Sequence, residues 1–419
     1  MIVSENSRRG YRTLRLPLKE SNYSQFMKDR EFSKIMIDDL YLKSPELFPL
    51  NMSGGYSFNG YTAPSVKQGY SFRRIRLKSD GNTFTIAPGF IMPYMTAMTN
   101  NVAEPMFLRR FNVPFWALAH VFGHDAMYWY RMELSFGRFS IVGTTVSKAE
   151  LLPKDLLADE KHTKLNKDKY YIAMTVGDEC ILGAEMTHSA SESSLTDAYG
   201  VFAEEALSVD SDYTPETVNT DGWAATQNAW KRLFSGITVI LCFLHAFIKI
   251  RDRATKILEV SYNAAADKVW AAYKSTSKAS FSQQLRRLKE WAERSVPDSP
   301  MKKNILNLCA KKEQFNKSYA HNNAHRTSNM VDRLMKFLDR ACFNAQYFHG
   351  TLESGRQGVR GWAILWNFTP SSPATVKKYG GKLSPAERLN NSRYSDNWLE
   401  NLLISASMNG TSGYQQNPL

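Results

Sequence analysis

A chain of 419 residues, 43% of them hydrophobic, is long enough for two or three domains around at least one large core, and that composition excludes wholesale disorder. The net charge of +13 fits an anionic partner, most simply nucleic acid, although solvated basic helix faces produce the same excess. Residues 251–340 alone carry 19 Lys+Arg against 9 Asp+Glu, so +10 of the total lies in one stretch.

The longest apolar run, Ile237 to Ile248, is broken by Thr238 and His245. It is too short to span a bilayer and reads as a buried strand. The first twenty residues lack the apolar core of a secretory signal, so a soluble, cytoplasmic protein is expected. Cys180, Cys242, Cys309 and Cys342 have no CxxC spacing. That argues against a zinc site or a disulfide framework, and reduced buried thiols are expected.

In chain order, 1–100 reads as an N-terminal arm or subdomain. It is poorly regular over 1–65, where NMSGGYSFNGY is a loop by composition, and has short alternating strands over 66–100. At 101–150 the period becomes helical. Phe115 to Phe122, Gly123, then Asp125 to Arg131 gives a helix, a glycine turn and a second helix, a helix-turn-helix-like pattern with Tyr128, Tyr130 and Arg131 on the second helix as candidate DNA contacts. An ordinary aromatic helical hairpin fits the same residues.

Residues 151–248 predict a strand-rich core. Leu156-Leu157-Ala158 leads into Asp159, Tyr170 to Val176 and Cys180 to Met186 form a hairpin, a helix follows, and Thr217 to Thr220 ends at Asp221. A helix bearing Trp223, Trp230 and Leu233 precedes a buried strand, Thr238 to Leu244, which His245 terminates. Residues 249–325 are helical and basic throughout. Lys274, Arg286, Arg287 and Arg294 interleave there with Trp270, Tyr273 and Trp291. That mixture suits phosphate contact with base stacking, while the tryptophans by themselves read as helix-packing residues. Thr327-Ser328-Asn329 caps a helix running from Met330 to Cys342, within the segment 326–348. The tail, 349–419, holds two helical pieces near 359–368 and 395–407.

Three carboxylates stand out by context: Asp159 after an apolar strand, Asp221 at a strand end before a helix, and Asp332 in the first turn of the helix after the insertion. Each alone has an ordinary reading as a turn, a cap or a dipole partner. Together they follow the order of a ribonuclease H-like mixed sheet with an all-α insertion, an α/β fold in which two strands and one helix bring three acids together. Such a site holds two Mg²⁺ or Mn²⁺ ions for in-line phosphoryl transfer. Asp339 and Glu313 rival Asp332 for the third place. Glu160 is expected on the opposite strand face.

The runs LLADEKHTKLNKDKYYIAMTV and NTDGWAATQNAWKRLFSGITVILCFLHAFIKIR resemble the catalytic strands of acidic-triad (DDE) transposases of bacterial insertion sequences. The second run includes a Cys-x-x-His pattern at Cys242 and His245. RTSNMVDRLMKFLDR resembles their last catalytic helix, and RGWAILWNFTP with SPAERLNNSRYSDNWLENLLISAS resembles their C-terminal segments. The resemblance covers roughly 100–410. It implies DNA transposition by metal-dependent hydrolysis and strand transfer, with Asp159, Asp221 and Asp332 as metal-binding catalytic acids and His245 in support. It also implies DNA as partner and a homodimer or larger synaptic assembly. The family usually has Glu where this chain has Asp332, one methylene shorter. A structure-selective nuclease of the same fold and a catalytically inactive, domesticated DNA-binding protein are the alternatives.

Overall fold

The computed structural model describes residues 10–65 and 69–411; the first nine residues of the expected N-terminal arm, on which part of the leader reading rests, and the last eight of the tail lie outside the described residues. Strand β1 (Thr13–Leu16) is followed by helices α1 (Glu20–Lys28) and α2 (Arg30–Lys43). The Asp29 carboxylate accepts from the Glu31 and Phe32 amides, which starts α2. Strands β2 (Tyr56–Tyr61), β3 (Arg73–Leu77) and β4 (Thr83–Pro88) complete a sheet of order β1-β4-β3-β2, parallel only between β1 and β4. This region is more regular than the sequence suggests. Its order comes from distant partners, because Leu14 and Leu16 share a core with Ile86, Ile404 and Met408.

Helices α3 (Thr99–Arg109), α4 (Phe115–Phe122), α5 (Ala126–Phe136) and α6 (Ile141–Thr145) come next. Gly123 turns the chain between α4 and α5 at φ 77°, and Asp125 caps α5 through the Tyr128 amide. Trp129, Met132 and Phe136 of α5 enter the same core as Leu157, Met174 and Ile181 of the second sheet. The α4–α5 pair is thus packed into the body of the protein.

That second sheet contains β5 (Asp155–Leu165), β6 (Asp168–Gly177), β7 (Cys180–Thr187), β8 (Thr217–Thr220) and β9 (Thr238–Leu241), in the order β7-β6-β5-β8-β9. The first three are antiparallel neighbours, while β8 and β9 run parallel to β5. Alternation along β5 serves both faces: Leu156 and Ala158 pack under α7 (Glu192–Val209) and α8 (Ala224–Leu233), and Leu157 packs on the opposite side. Two mixed sheets and many helices make this an α/β protein, and no described helix is long and apolar enough to cross a membrane.

The expected strand from Thr238 to Leu244 is shorter than its hydrophobicity implies. It ends at Leu241, and α9 (Phe243–Arg251) begins two residues later, so His245 lies on a helix. Phe243, Phe247 and Ile250 recur at helical spacing and are buried among the helices that follow. Those are α10 (Glu259–Tyr273), α11 (Lys278–Ser295), α12 (Pro300–Ala310) and α13 (Lys312–Asn316), which form a separate core around Val269, Phe281, Leu285 and Ile305.

Helices α14 (Asn329–Asn344) and α15 (Leu352–Phe368) cover the remaining face of the second sheet, and α16 (Pro373–Lys378), α17 (Pro385–Asn390) and α18 (Trp398–Ser405) close the chain. Helix α15 lies hard against α5: a Cβ on Gly361 would sit 2.5 Å from the Glu133 carbonyl oxygen. Its Asn367 extends the hydrogen bonding of edge strand β7, accepting from the Ile181 amide at 2.9 Å and donating to the Ile181 carbonyl at 2.7 Å. Asn367→Ala strands both buried backbone groups, so a loss of about 2–4 kcal/mol in urea unfolding is expected. A loss below about 0.5 kcal/mol, the range of a neutral surface change, would show that the clamp is dispensable.

Candidate active site

The parallel register of β5 and β8 pairs Leu157 with Asn219. Two residues past that pair stand Asp159, still within β5, and Asp221, the first residue after β8. Asp159 shares the strand face of Leu157, toward α14. Its neighbour Glu160 faces the other way, as expected, and accepts from Tyr199 Oη and Thr226 Oγ1, both at 2.6 Å. Just after Asp221 the chain turns at Gly222, φ 98°, and one Asp221 oxygen accepts from the Trp223 amide at 2.8 Å. Asp221 therefore orders the turn, and Trp223 holds the N-cap position of α8.

The segment before α14 is fastened to the ends of β8 and β9. Asn219 Nδ2 donates to the His325 carbonyl at 2.8 Å, and the Phe243 amide donates to the Arg326 carbonyl at 3.0 Å. Ser328 then sits at the N-cap of α14 without capping it. Its hydroxyl donates to Asp332 Oδ2 at 3.0 Å and lies 3.1 Å from Cys242 Sγ and 3.2 Å from His245 Nδ1. One serine thus joins the third acid to the Cys-x-x-His pair. Sequence reading treated Ser328 only as part of a capping run, and no local pattern distinguishes the two roles.

Burial, then the charges of Glu160, Asp221 and Asp332, push the Asp159 carboxyl up to about 7. The hydrogen bond with Cys242 raises the His245 pKa above the usual histidine value; burial opposes this, and the carboxylates of Asp332 and Asp159 reinforce it. Burial pushes the Cys242 thiol up, but its hydrogen bonds to His245 and Ser328 outweigh that and bring it below the ordinary cysteine value. The rival carboxylates are engaged elsewhere: Asp339 pairs with Lys161 at 3.3 Å, and Glu313 is exposed beside Lys278 and Lys312.

Among the described residues no three His, Cys, Asp or Glu side chains close into a ready cation cage. Asp159, Asp221 and Asp332 offer only oxygen donors and are all partly buried. Donors of that kind are the ones Mg²⁺ or Mn²⁺ takes, binding through one or two carboxylates and keeping several waters.

The candidate DNA contacts lie on other elements. Tyr128 stacks on His124 at 4.0 Å, and Tyr130 meets Phe115 edge-on at 5.5 Å, so both rings are engaged in packing, while Arg131 is exposed. Lys274, Arg286, Arg287 and Arg294 are exposed on the helical insertion; Arg286 pairs with Glu290 at 3.7 Å, and Arg294 donates to the Glu290 carbonyl. Trp270 packs on Phe247 at 5.0 Å within the insertion core.

Set against models of known protein families and against curated proteins, the chain matches none.

The raised Asp159 carboxyl has a defined effect on stability. The unfolded chain releases this proton near pH 4, whereas the folded chain holds it to about 7. Its contribution therefore favours the folded state at low pH and is lost as pH rises through that window. Asp159→Asn removes the penalty, so its thermal midpoint should exceed that of the parent at pH 8 and converge with it toward pH 4. Midpoints that differ equally at both pH values would exclude ionisation of Asp159 as the cause.

Proposed function

We propose that this chain is a metal-dependent DNA transposase with a ribonuclease H-like catalytic core, acting through Asp159, Asp221 and Asp332. The observation that carries the reading is the placement of Asp159 on β5 and Asp221 just after the parallel neighbour β8, each two residues past the Leu157–Asn219 pair, with the charges of Asp221 and Asp332 both acting on Asp159. The sheet order β7-β6-β5-β8-β9, with three antiparallel strands and two parallel ones, suits such a core, and the all-helical insertion between β9 and α14 falls where the resemblance requires it.

In this reading the three carboxylates would hold two Mg²⁺ or Mn²⁺ ions, which when bound would supply charge stabilisation for in-line phosphoryl transfer. The protein's own part is placement and charge balance. Ser328 donates to Asp332 Oδ2 and so steadies its rotamer. His245, beside the same Ser328 hydroxyl, is placed to donate to a phosphate oxygen at the edge of the acids. The basic insertion supplies the long-range field for DNA. Joining two element ends to a target calls for at least two copies of the chain.

The test is cleavage and joining of labelled DNA carrying the ends that flank the coding region. Mg²⁺-dependent cleavage followed by joining to a plasmid is expected, with Asp159→Asn and Asp221→Asn each lowering the rate at least about 10²-fold, the scale of a lost electrostatic contribution. Cleavage without joining would identify a structure-selective nuclease instead. DNA binding with no cleavage under any divalent ion would leave only a DNA-binding protein.

A further inference from the structure

Helix α14 carries more than Asp332. Arg333, Lys336 and Arg340 are all exposed, and their spacing places them on one outward stripe that starts beside the acid. The stripe leads to a cleft of about 460 Å³ between the C-terminal half of α14 and Arg110, Phe111 and Asn112, just beyond α3. Two aromatic rings stand in solvent at its walls, Phe111 at 61% exposure and Phe343 at 72%. Phe111 is steadied edge-on by Phe107 at 5.2 Å. Arg110 is a fixed wall, its guanidinium over the Trp366 ring at 4.5 Å and donating to the Pro370 carbonyl at 2.8 Å.

The one acid lining the cleft, Asp339, is paired with Lys161. The features together are a run of cations and two open aromatic faces. Phosphate and a flat ring are their complements, and an unpaired nucleotide carries both.

We propose that this cleft takes an unpaired nucleobase of a DNA strand whose phosphates follow Arg333, Lys336 and Arg340 away from Asp332. The proposal rests on the DNA-transfer reading above and specifies its substrate as a strand opened near the cut. From Asp332 to Phe343 the helix rises roughly 16 Å, about the rise of five stacked nucleotides. The base is held several nucleotides from the reacting phosphate, where it sets the register of the strand at the acids.

The experiment uses the full chain without divalent ions and a short single-stranded oligodeoxynucleotide containing 2-aminopurine, alongside the same sequence as a duplex. Stacking in the cleft should quench the 2-aminopurine. The double variant Phe111→Ala/Phe343→Ala should abolish the quench and weaken single-strand binding about 5-fold or more, with a smaller change for duplex. Both rings are solvent-exposed, so the variant should keep the parent's thermal midpoint. Arg340→Ala should retain the quench and lower the salt slope of binding by roughly one. The proposal is overturned by a parent protein that does not quench, or by a double variant that binds and quenches as the parent does. Cleavage that depends on Asp159 and Asp221 but ignores the cleft variants would overturn the cleft alone. A parent that quenches, with the quench lost in the double variant, but that never cleaves would leave the cleft standing and remove the transposase reading.

Discussion

The parallel register between β5 and β8 is the constraint on which the rest of the site depends. It pairs Leu157 with Asn219, and each acid follows two residues later, Asp159 within β5 and Asp221 just past β8. A slip of one residue would turn Asp159 toward the face of α7 and α8 and put Glu160 in its place, because side chains alternate between faces. The burial pattern prevents the slip. Leu156 and Ala158 belong to one core, Leu157 to another, and exchanging them would empty both.

Holding that register needs support from far along the chain. The outer side of the sheet is closed by α15, whose Asn367 completes the hydrogen bonds of β7 and whose glycines let it lie close to α5. Helix α18 continues the work, with Leu399, Leu402 and Leu403 in the core of the second sheet and Ile404 in that of the first. Ser407 ties the C-terminal segment to the first sheet by accepting from the Arg15 amide and donating to the Leu47 carbonyl. The C-terminal segment is thus the brace between the two sheets. The α4–α5 pair is a wall of the second sheet's core, and its glycine turn serves packing through Trp129, whose indole N–H donates to the Gly123 carbonyl.

The acids themselves are an electrostatic burden on this frame. Burial and the neighbouring charges of Glu160, Asp221 and Asp332 raise the cost of ionising Asp159. In the proposed reading bound cations would offset that cost, a compromise common where function requires like charges to face one another. Ser328 engages Asp332 by hydrogen bonding.

The sequence by itself determined the alternation of strand and helix, the all-helical character of 249–325, the opposite facing of Asp159 and Glu160, and the acids worth watching. Those follow from local period and from which residues precede a turn. It misjudged the end of β9, because an apolar run looks the same whether it continues as a strand or turns into a buried helix; only the insertion core around Phe243, Phe247 and Ile250 distinguishes the two. It also left 1–65 without order, since β1 finds its partners at Ile86 and Ile404. Only the tertiary structure shows the partners of the three candidates for the third acid: Asp339 and Glu313 pair with lysines, and Asp332 accepts from Ser328. It alone revealed the cleft beside α14, whose parts come from Phe111 and Phe343, far apart in the chain. The reason is the same in each case: periodicity is written in neighbouring residues, whereas a carboxylate's partners and the walls of a cleft depend on which distant segments the packing brings alongside.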